Sequence, residues 1–382
     1  MVAEFIMSRN MNKIWQFIKN EAVLSAASAL AVISAFFIPP DIEYLGYIDF
    51  RTLALLFCLM TVMAGLQKTG VFSFLAENLL NKVHSTKSLI FILVMLCFFF
   101  SMLITNDVAL ITFVPFTFTV LNKLDPDIRN KKIIPVTVMQ TVAANLGSML
   151  TPIGNPQNLY LQGLSGLSMS GFLLLMLPYT AISFVMLAAW VLIGENGEKI
   201  SVYFEHSSES GNKYRIAFYC GLFGVCLLTV ARIIDYRITM LFVVAASALI
   251  DYKIFLKLDY TLLLTFAAFF IFIGNMGRIS AFSDYINSII YGRECFTAVV
   301  SSQLISNVPA AILLSGFTDN FKPLIIGVNL GGLGTLIASM ASLISFKYLG
   351  NENKLLKGKY LFYFTVVNII FLAVLFGAYC VI

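Results

Sequence analysis

Charge is what this sequence has least of. Only 12% of its 382 residues are Asp, Glu, Lys or Arg, against about 25% in an ordinary soluble domain. With 59% hydrophobic residues and a mean hydropathy of +0.88, the chain cannot present a mainly polar surface to water, and a bilayer is the solvent that fits. Histidine is nearly missing: His84 and His206 are the two, both in polar connections. The six cysteines form no CxxC pair, which excludes a zinc ribbon and argues against a disulfide framework. There is no HExxH, no GxSxG and no membrane-embedded histidine, so an intramembrane enzyme lacks its chemistry. The net charge of +5 is scattered over short loops, where topology explains it and nucleic acid does not. No small-residue cleavage site follows the first apolar run, so that run reads as a retained helix.

What the sequence has instead is long apolar runs. Nine are long enough to cross a bilayer, at about 20 residues each: 22–39, 50–66, 133–162, 171–193, 214–231, 236–250, 260–276, 322–346 and 359–381. Two further stretches, 88–121 and 296–318, are interrupted at their middles by polar residues. Loop charge decides how these two behave, because cytoplasmic loops carry excess Lys and Arg. The connection 67–87 holds Lys68, Lys82 and Lys87, and 122–132 holds Lys123, Arg129, Lys131 and Lys132. Both lie on one face only if 88–121 enters and leaves on the same side. With 296–318 treated likewise from the other face, the N-terminus is inside and 19 of the 25 Lys and Arg fall inside. The expected fold is an all-α integral membrane protein with about nine transmembrane helices, two re-entrant helical hairpins and two interrupted helices. The polar connection 195–213, with Glu195, Glu198, Glu205 and Glu209, reads as a solvated cytoplasmic linker.

The two halves match at three places. IDFRTLALLF from Ile48 resembles LDYTLLLTFA from Leu258; ITNDVALI from Ile104 resembles ISNVPAAI from Ile305; NLGSMLTPIGNPQNL from Asn145 resembles NLGGLGTLIASMASL from Asn329. One extra helix separates the copies, so the second is expected to be inverted. The organisation is then a cytoplasmic segment 1–21, a first repeat 22–193, a linker and connecting helix 194–231, and a second repeat 232–382. Inverted repeats place substrate near the bilayer midplane, at the repeat interface.

Between Lys87 and Lys123 the one charged residue is Asp107, in mid-run beside Thr105 and Asn106. An unpaired charge at that depth costs roughly 2.5–3.5 kcal/mol or more, which makes Asp107 an ion-handling candidate; a bare helix cap is the competing reading. Ser306 and Asn307 occupy the equivalent tip of the second hairpin. From Lys132 to Glu195 the chain has no charged residue, yet it holds Asn145, Thr151, Pro152, Gly154, Asn155, Pro156 and Asn158. Two prolines around a glycine break a helix, with Asn155 as N-cap and Pro156 as first helical residue. Asn329, Gly331, Gly332, Gly334 and Thr335 imply the same break in the second half. Half-helix starts supply N–H groups for an anion; freed carbonyls and amide oxygens suit a hard cation. Sodium is therefore expected at Asn106, Asp107, Gly154 and Asn307, with no Lys or Arg in the cavity.

From about residue 48 to 346 these motifs resemble the ion transporter superfamily, which includes divalent-anion/sodium symporters, citrate transporters and arsenite permease-like proteins. TND at 105–107, TPIGNPQN at 151–158 and SN at 306–307 carry the resemblance. It implies that Thr105 and Asn106 serve one cation site with the 151–155 turn, and Ser306 and Asn307 a second with the 331–335 turn. It implies an elevator-type motion, usually in a homodimer. Asp107 and Val308 stand where the symporters have threonines, so a carboxylate there could couple transport to protons. The expected function is secondary active transport of a small anion, coupled to sodium or protons, in the cell membrane, with no other cofactor. A sodium/proton antiporter using Asp107 is the alternative, with a channel behind it.

Overall fold

The computed structural model describes residues 21–80, 83–195, 197–200 and 212–382. The expected N-terminal segment up to residue 20 and the linker glutamates Glu205 and Glu209 lie outside them.

Apolar runs free of backbone breakers become helices because intra-helical bonds are the way a chain satisfies its N–H and C=O groups in lipid. The chain runs through α1 (Ala22–Phe37), α2 (Phe50–Lys68), α3 (Thr86–Ile104), α4 (Asn106–Leu121), α5 (Pro126–Ser148), α6 (Pro156–Ser165), α7 (Met169–Gly194), α8 (Lys213–Val230), α9 (Tyr236–Asp251), α10 (Tyr260–Gly277), α11 (Glu294–Ile305), α12 (Asn307–Ser315), α13 (Phe321–Leu330), α14 (Met340–Glu352) and α15 (Lys357–Val381). Short connecting helices, Val71–Leu80 and Ser280–Ile290, precede α3 and α11. Among the described residues no strand forms beyond one isolated bridge, Ser85 to Lys199. Seven helices of the described chain are long and apolar enough to cross a membrane. Six of them are expected spans and the seventh is α3; α1, at 16 residues, is shorter. The chain is a multi-pass, all-α membrane protein.

The stretches expected to be interrupted are interrupted. A single residue, Thr105, joins α3 to α4, and Ser306 joins α11 to α12. Both take the same unusual backbone shape, φ 68° and ψ 151° at Thr105, φ 77° and ψ 154° at Ser306. Positive φ is costly for a side chain with a Cβ, by about 1–3 kcal/mol, and persists only where surrounding contacts fix it. The long runs break as well, α5 from α6 across 149–155 and α13 from α14 across 331–339. Proline and glycine make the first break. Glycine alone makes the second, where Gly334 takes φ 109°. The two hairpins differ in length. The arms of the first have 19 and 16 residues, those of the second 12 and 9, or about 28, 24, 18 and 14 Å at 1.5 Å per residue.

Packing follows one plan in both halves. Each hairpin packs on the first segment of its own broken helix, α3 and α4 on α5, α11 and α12 on α13. Each second segment packs on the other half, α6 against α12 and α13, α14 against α4 and α5. Outside this centre the first helices exchange partners: α1 lies on α10, and α9 on α2. Two ion pairs lock that exchange, Lys68 with Asp251 and Arg278 with Asp41 at 2.7 Å. Extending the Ile48/Leu258 match puts Asp41 opposite Asp251 and Lys68 opposite Arg278, so the two pairs are equivalents. Asp49 and Asp259, also equivalents, each cap the following helix at 3.0 Å, through Thr52 N–H and Leu262 N–H.

One expectation needs correcting. In the expected solvated linker, Gly197, Glu198 and Lys199 are exposed, but Glu195 is not. Glu195 is 6% exposed and pairs with Lys132; Thr86 N–H donates to the Glu198 carbonyl at 2.9 Å, and Ile200 N–H to that of His84 at 3.1 Å. An isolated carboxylate at the end of α7 would cost free energy to bury, and Lys132 supplies a partner that offsets part of that cost.

Candidate functional site

The site forms where the two tips meet the two breaks. Asn106 N–H donates to the Gly154 carbonyl at 3.2 Å, and Asn307 N–H to the Ala338 carbonyl at 2.9 Å. The Asn145/Asn329 match sets Gly154 opposite Ala338, so the two bonds are equivalents. Thr151 Oγ1 donates to the Met102 carbonyl at 2.5 Å, and its equivalent Thr335 Oγ1 to the Gln303 carbonyl at 3.3 Å. These bonds give the hairpin tips and the broken ends partners that the missing helical turns would have supplied.

Further bonds cross between halves. Asn145 Nδ2 donates to Ser342 Oγ at 3.3 Å, and Asn329 Nδ2 to Asn158 Oδ1 at 2.7 Å. Asn145 sits at the hub. Its Oδ1 accepts from Asn106 Nδ2 at 3.1 Å and from Ser339 Oγ at 3.0 Å, and its Nδ2 reaches the Gly332 carbonyl at 3.4 Å. Asn158 also holds the first break closed, donating to the carbonyls of Ser148 and Thr151 at 3.3 and 3.2 Å. Gly154 has no room for a side chain: a Cβ there would lie 2.1 Å from the Ser148 carbonyl oxygen.

Asn155 and Pro156 take the N-cap and first positions of α6, but the Asn155 side chain does not cap. It donates to Ser148 Oγ at 2.6 Å, across the break. Asp107 is no cap either. Asn106 Oδ1 accepts its N–H at 2.9 Å, and among the described residues the Asp107 carboxylate has no hydrogen bond or ion pair. It faces a cavity of about 200 Å³, room for a small solute and less than the ~300–1,000 Å³ of sites for drug-sized ligands. Thr105, Asn155 and Pro156 line it, with Leu56, Met60, Met63 and Ile111 among its apolar walls.

Three polar residues that sequence reasoning passed over complete this cavity: Asp259, Lys257 and Gln67. The expectation of no basic residue is thus corrected. Lys257 reaches the cavity because it sits two residues before the cap of α10, at the end of α2 that carries Gln67. The signal for Asp259 was in the repeat match, where Asp pairs with Asp49. Ser306, Asn307, Gly334 and Thr335 do not line this cavity; Gln303, from α11, fills the second break instead. Its Nε2 donates to the carbonyls of Gly331 and Leu333, both at 2.9 Å, while its Oε1 accepts from Thr335 N–H at 2.9 Å.

Paired hairpins seated in broken helices, inside a shell of apolar spans, define a membrane transporter. The family profile described as citrate transporter matches residues 11–323, and the chain belongs to that family. It is 32% identical to inner membrane protein YbiR of Escherichia coli over 84% of this chain and 86% of that one. It is 32% identical to an uncharacterised transporter of Methanocaldococcus jannaschii over 87% and 90% of the two chains. A shorter match, 33% identical over 34% of this chain and 26% of the other, is to a silicon efflux transporter of Oryza sativa.

Proposed function

We propose that this transporter moves a small anion, a carboxylate or an inorganic oxyanion, by secondary active transport coupled to sodium or protons. The observation that carries this reading is the Asp107 carboxylate, without a hydrogen bond or ion pair among the described residues, on a small cavity beside Asp259 and Lys257. Two carboxylates against one ammonium leave a negative charge uncompensated, so a free anion is repelled until a cation or proton arrives. Loading the cation at Thr105, Asn106, Asp107 and the Gly154 turn makes the cavity fit for an anion, held by Lys257 and the N-terminal N–H groups of α6. Order of binding then produces coupling. The hairpins and broken helices would travel together as an elevator against α1, α2, α9 and α10, with the halves inverted in the cell membrane, the N-terminus cytoplasmic and the assembly a homodimer.

The same excess of carboxylate favours a second reading, a sodium/proton antiporter in which Asp107 and Asp259 exchange cations without anion flux. Proteoliposomes separate the two. A panel of labelled carboxylates and oxyanions, with silicic acid added because of the rice relative's name, is offered with imposed sodium or proton gradients. Gradient-driven uptake of a carboxylate or an oxyanion supports the first reading, and uptake of silicic acid alone, which is uncharged at neutral pH, counts against an anion as the substrate. Sodium/proton exchange with no solute flux overturns it and supports the second.

A further inference from the structure

The resemblance implies two cation sites, one for each hairpin and its break. The second break does not fit one. A hard cation at a broken helix is held by backbone carbonyls freed from the helical ladder, and here the carbonyls of Gly331 and Leu333 both accept from Gln303 Nε2 at 2.9 Å. The amide cannot be turned to put its oxygen toward those carbonyls. That would set oxygen against two acceptors and NH₂ against the Thr335 N–H that Oε1 now accepts at 2.9 Å. The Gln303 seat is built rather than incidental. Gly334, at φ 109°, passes so close that a Cβ would lie 2.2 Å from Gln303 Oε1. At the equivalent place in the first half stands Met102, whose thioether has no N–H to donate. The amide in that break, Asn158, comes from beyond it and takes the carbonyls of Ser148 and Thr151 at 3.3 and 3.2 Å, so those of Gly147 and Met149, the matches of Gly331 and Leu333, have no side-chain donor among the described residues.

We infer that Gln303 is an internal stand-in for a second cation: its amide N–H pair takes the carbonyls that a cation would take, and the chain loads a single coupling cation, at the first break. Val308, where the first tip has Asp107, fits the same division, since it adds no charge for a cation to neutralise. This rests on the reading of the first break as a cation site.

Equilibrium binding of ²²Na⁺ to the purified full chain in detergent tests it, with Gln303→Glu and Met102→Gln alongside. One sodium per chain is expected in the wild type. Gln303→Glu replaces two donors by a carboxylate facing two carbonyls, and should raise the count to two. Met102→Gln plants the same plug in the first break and should abolish binding. Should Gln303→Glu fail to fold, Gln303→Met makes the halves alike and should gain a second, weaker site. Two ions on the wild type overturn the plug and leave the first site standing. None on the wild type but one on Gln303→Glu overturns the first site and leaves the plug. None on either overturns both.

Discussion

At the tip of the first hairpin stand Asn106 and Asp107; at the tip of the second, Asn307 and Val308. The backbone around them repeats the same features: a positive-φ joint, an amide-to-carbonyl bond into a helix break and a threonine bond back to the hairpin arm. The chemistry differs. The first tip carries a carboxylate over a cavity, with no hydrogen bond or ion pair among the described residues; the first break is held by Asn158, an amide from beyond it, and the second by Gln303, an amide of its own hairpin. On the proposed reading, this shared scaffold with unshared polar groups leaves ion handling to the first tip and a structural part to the second.

Exchanging equivalent residues puts this to the test. The largest effect is expected at Gly154, where an added Cβ meets backbone 2.1 Å away. Gly154→Ala should displace the break and cost several kcal/mol, on the order of the larger overpacking penalties, seen as loss of folded protein in detergent. Its equivalent is already Ala338, and Ala338→Gly should cost about 1 kcal/mol or less. Next comes the asparagine pair. Asn145 makes four side-chain bonds across three elements, Asn329 two. Asn145→Ala should therefore destabilise by about 2–3 kcal/mol and Asn329→Ala by about 1, as read from thermal unfolding. Equal losses would mean the hub has no special place.

Much of this was legible in the sequence because breaks in apolar helices need residues that membrane helices otherwise avoid. Pro152, Gly154 and Pro156 announced the first break, and the repeat match carried it to 331–339. Loop charge and the lone Asp107 placed the first tip at Thr105, and the repeat match carried it to Ser306. The Lys257–Asp259 side of the cavity was hidden, because its residues lie far along the chain from Asp107 and read as an ordinary loop and cap. Gln303 was hidden as well: an amide in an arm looks the same whether it faces solvent or plugs a break. The burial of Glu195 was missed since its partner, Lys132, sits far along the chain in a different helix, α5.

A smaller effect is expected from the threonines. Thr151→Val loses a 2.5 Å bond in the partly buried first break and should cost about 1 kcal/mol; Thr335→Val, at an exposed position, should cost less. Smallest is the pH dependence of Asp41. Its hydrogen bond to Arg278, then the guanidinium charge, holds the carboxyl below its ordinary value of 3.8. The stability it adds is therefore full above the unfolded value and lost as pH falls through the lowered one. Both partners are well exposed, so the gain is small. The melting difference between wild type and Asp41→Asn should be present at neutral pH and vanish in acid; a difference that grew in acid would reverse the sign.

The most direct test of the account is transport by Asp107→Asn in proteoliposomes beside wild type and Val308→Asn, with an anion panel driven by sodium and by proton gradients. Gradient-driven uptake should disappear in Asp107→Asn while Val308→Asn, which alters the other tip, keeps it. Unchanged coupling in Asp107→Asn, or equal losses in the two variants, would contradict the claim that the first hairpin handles the ion.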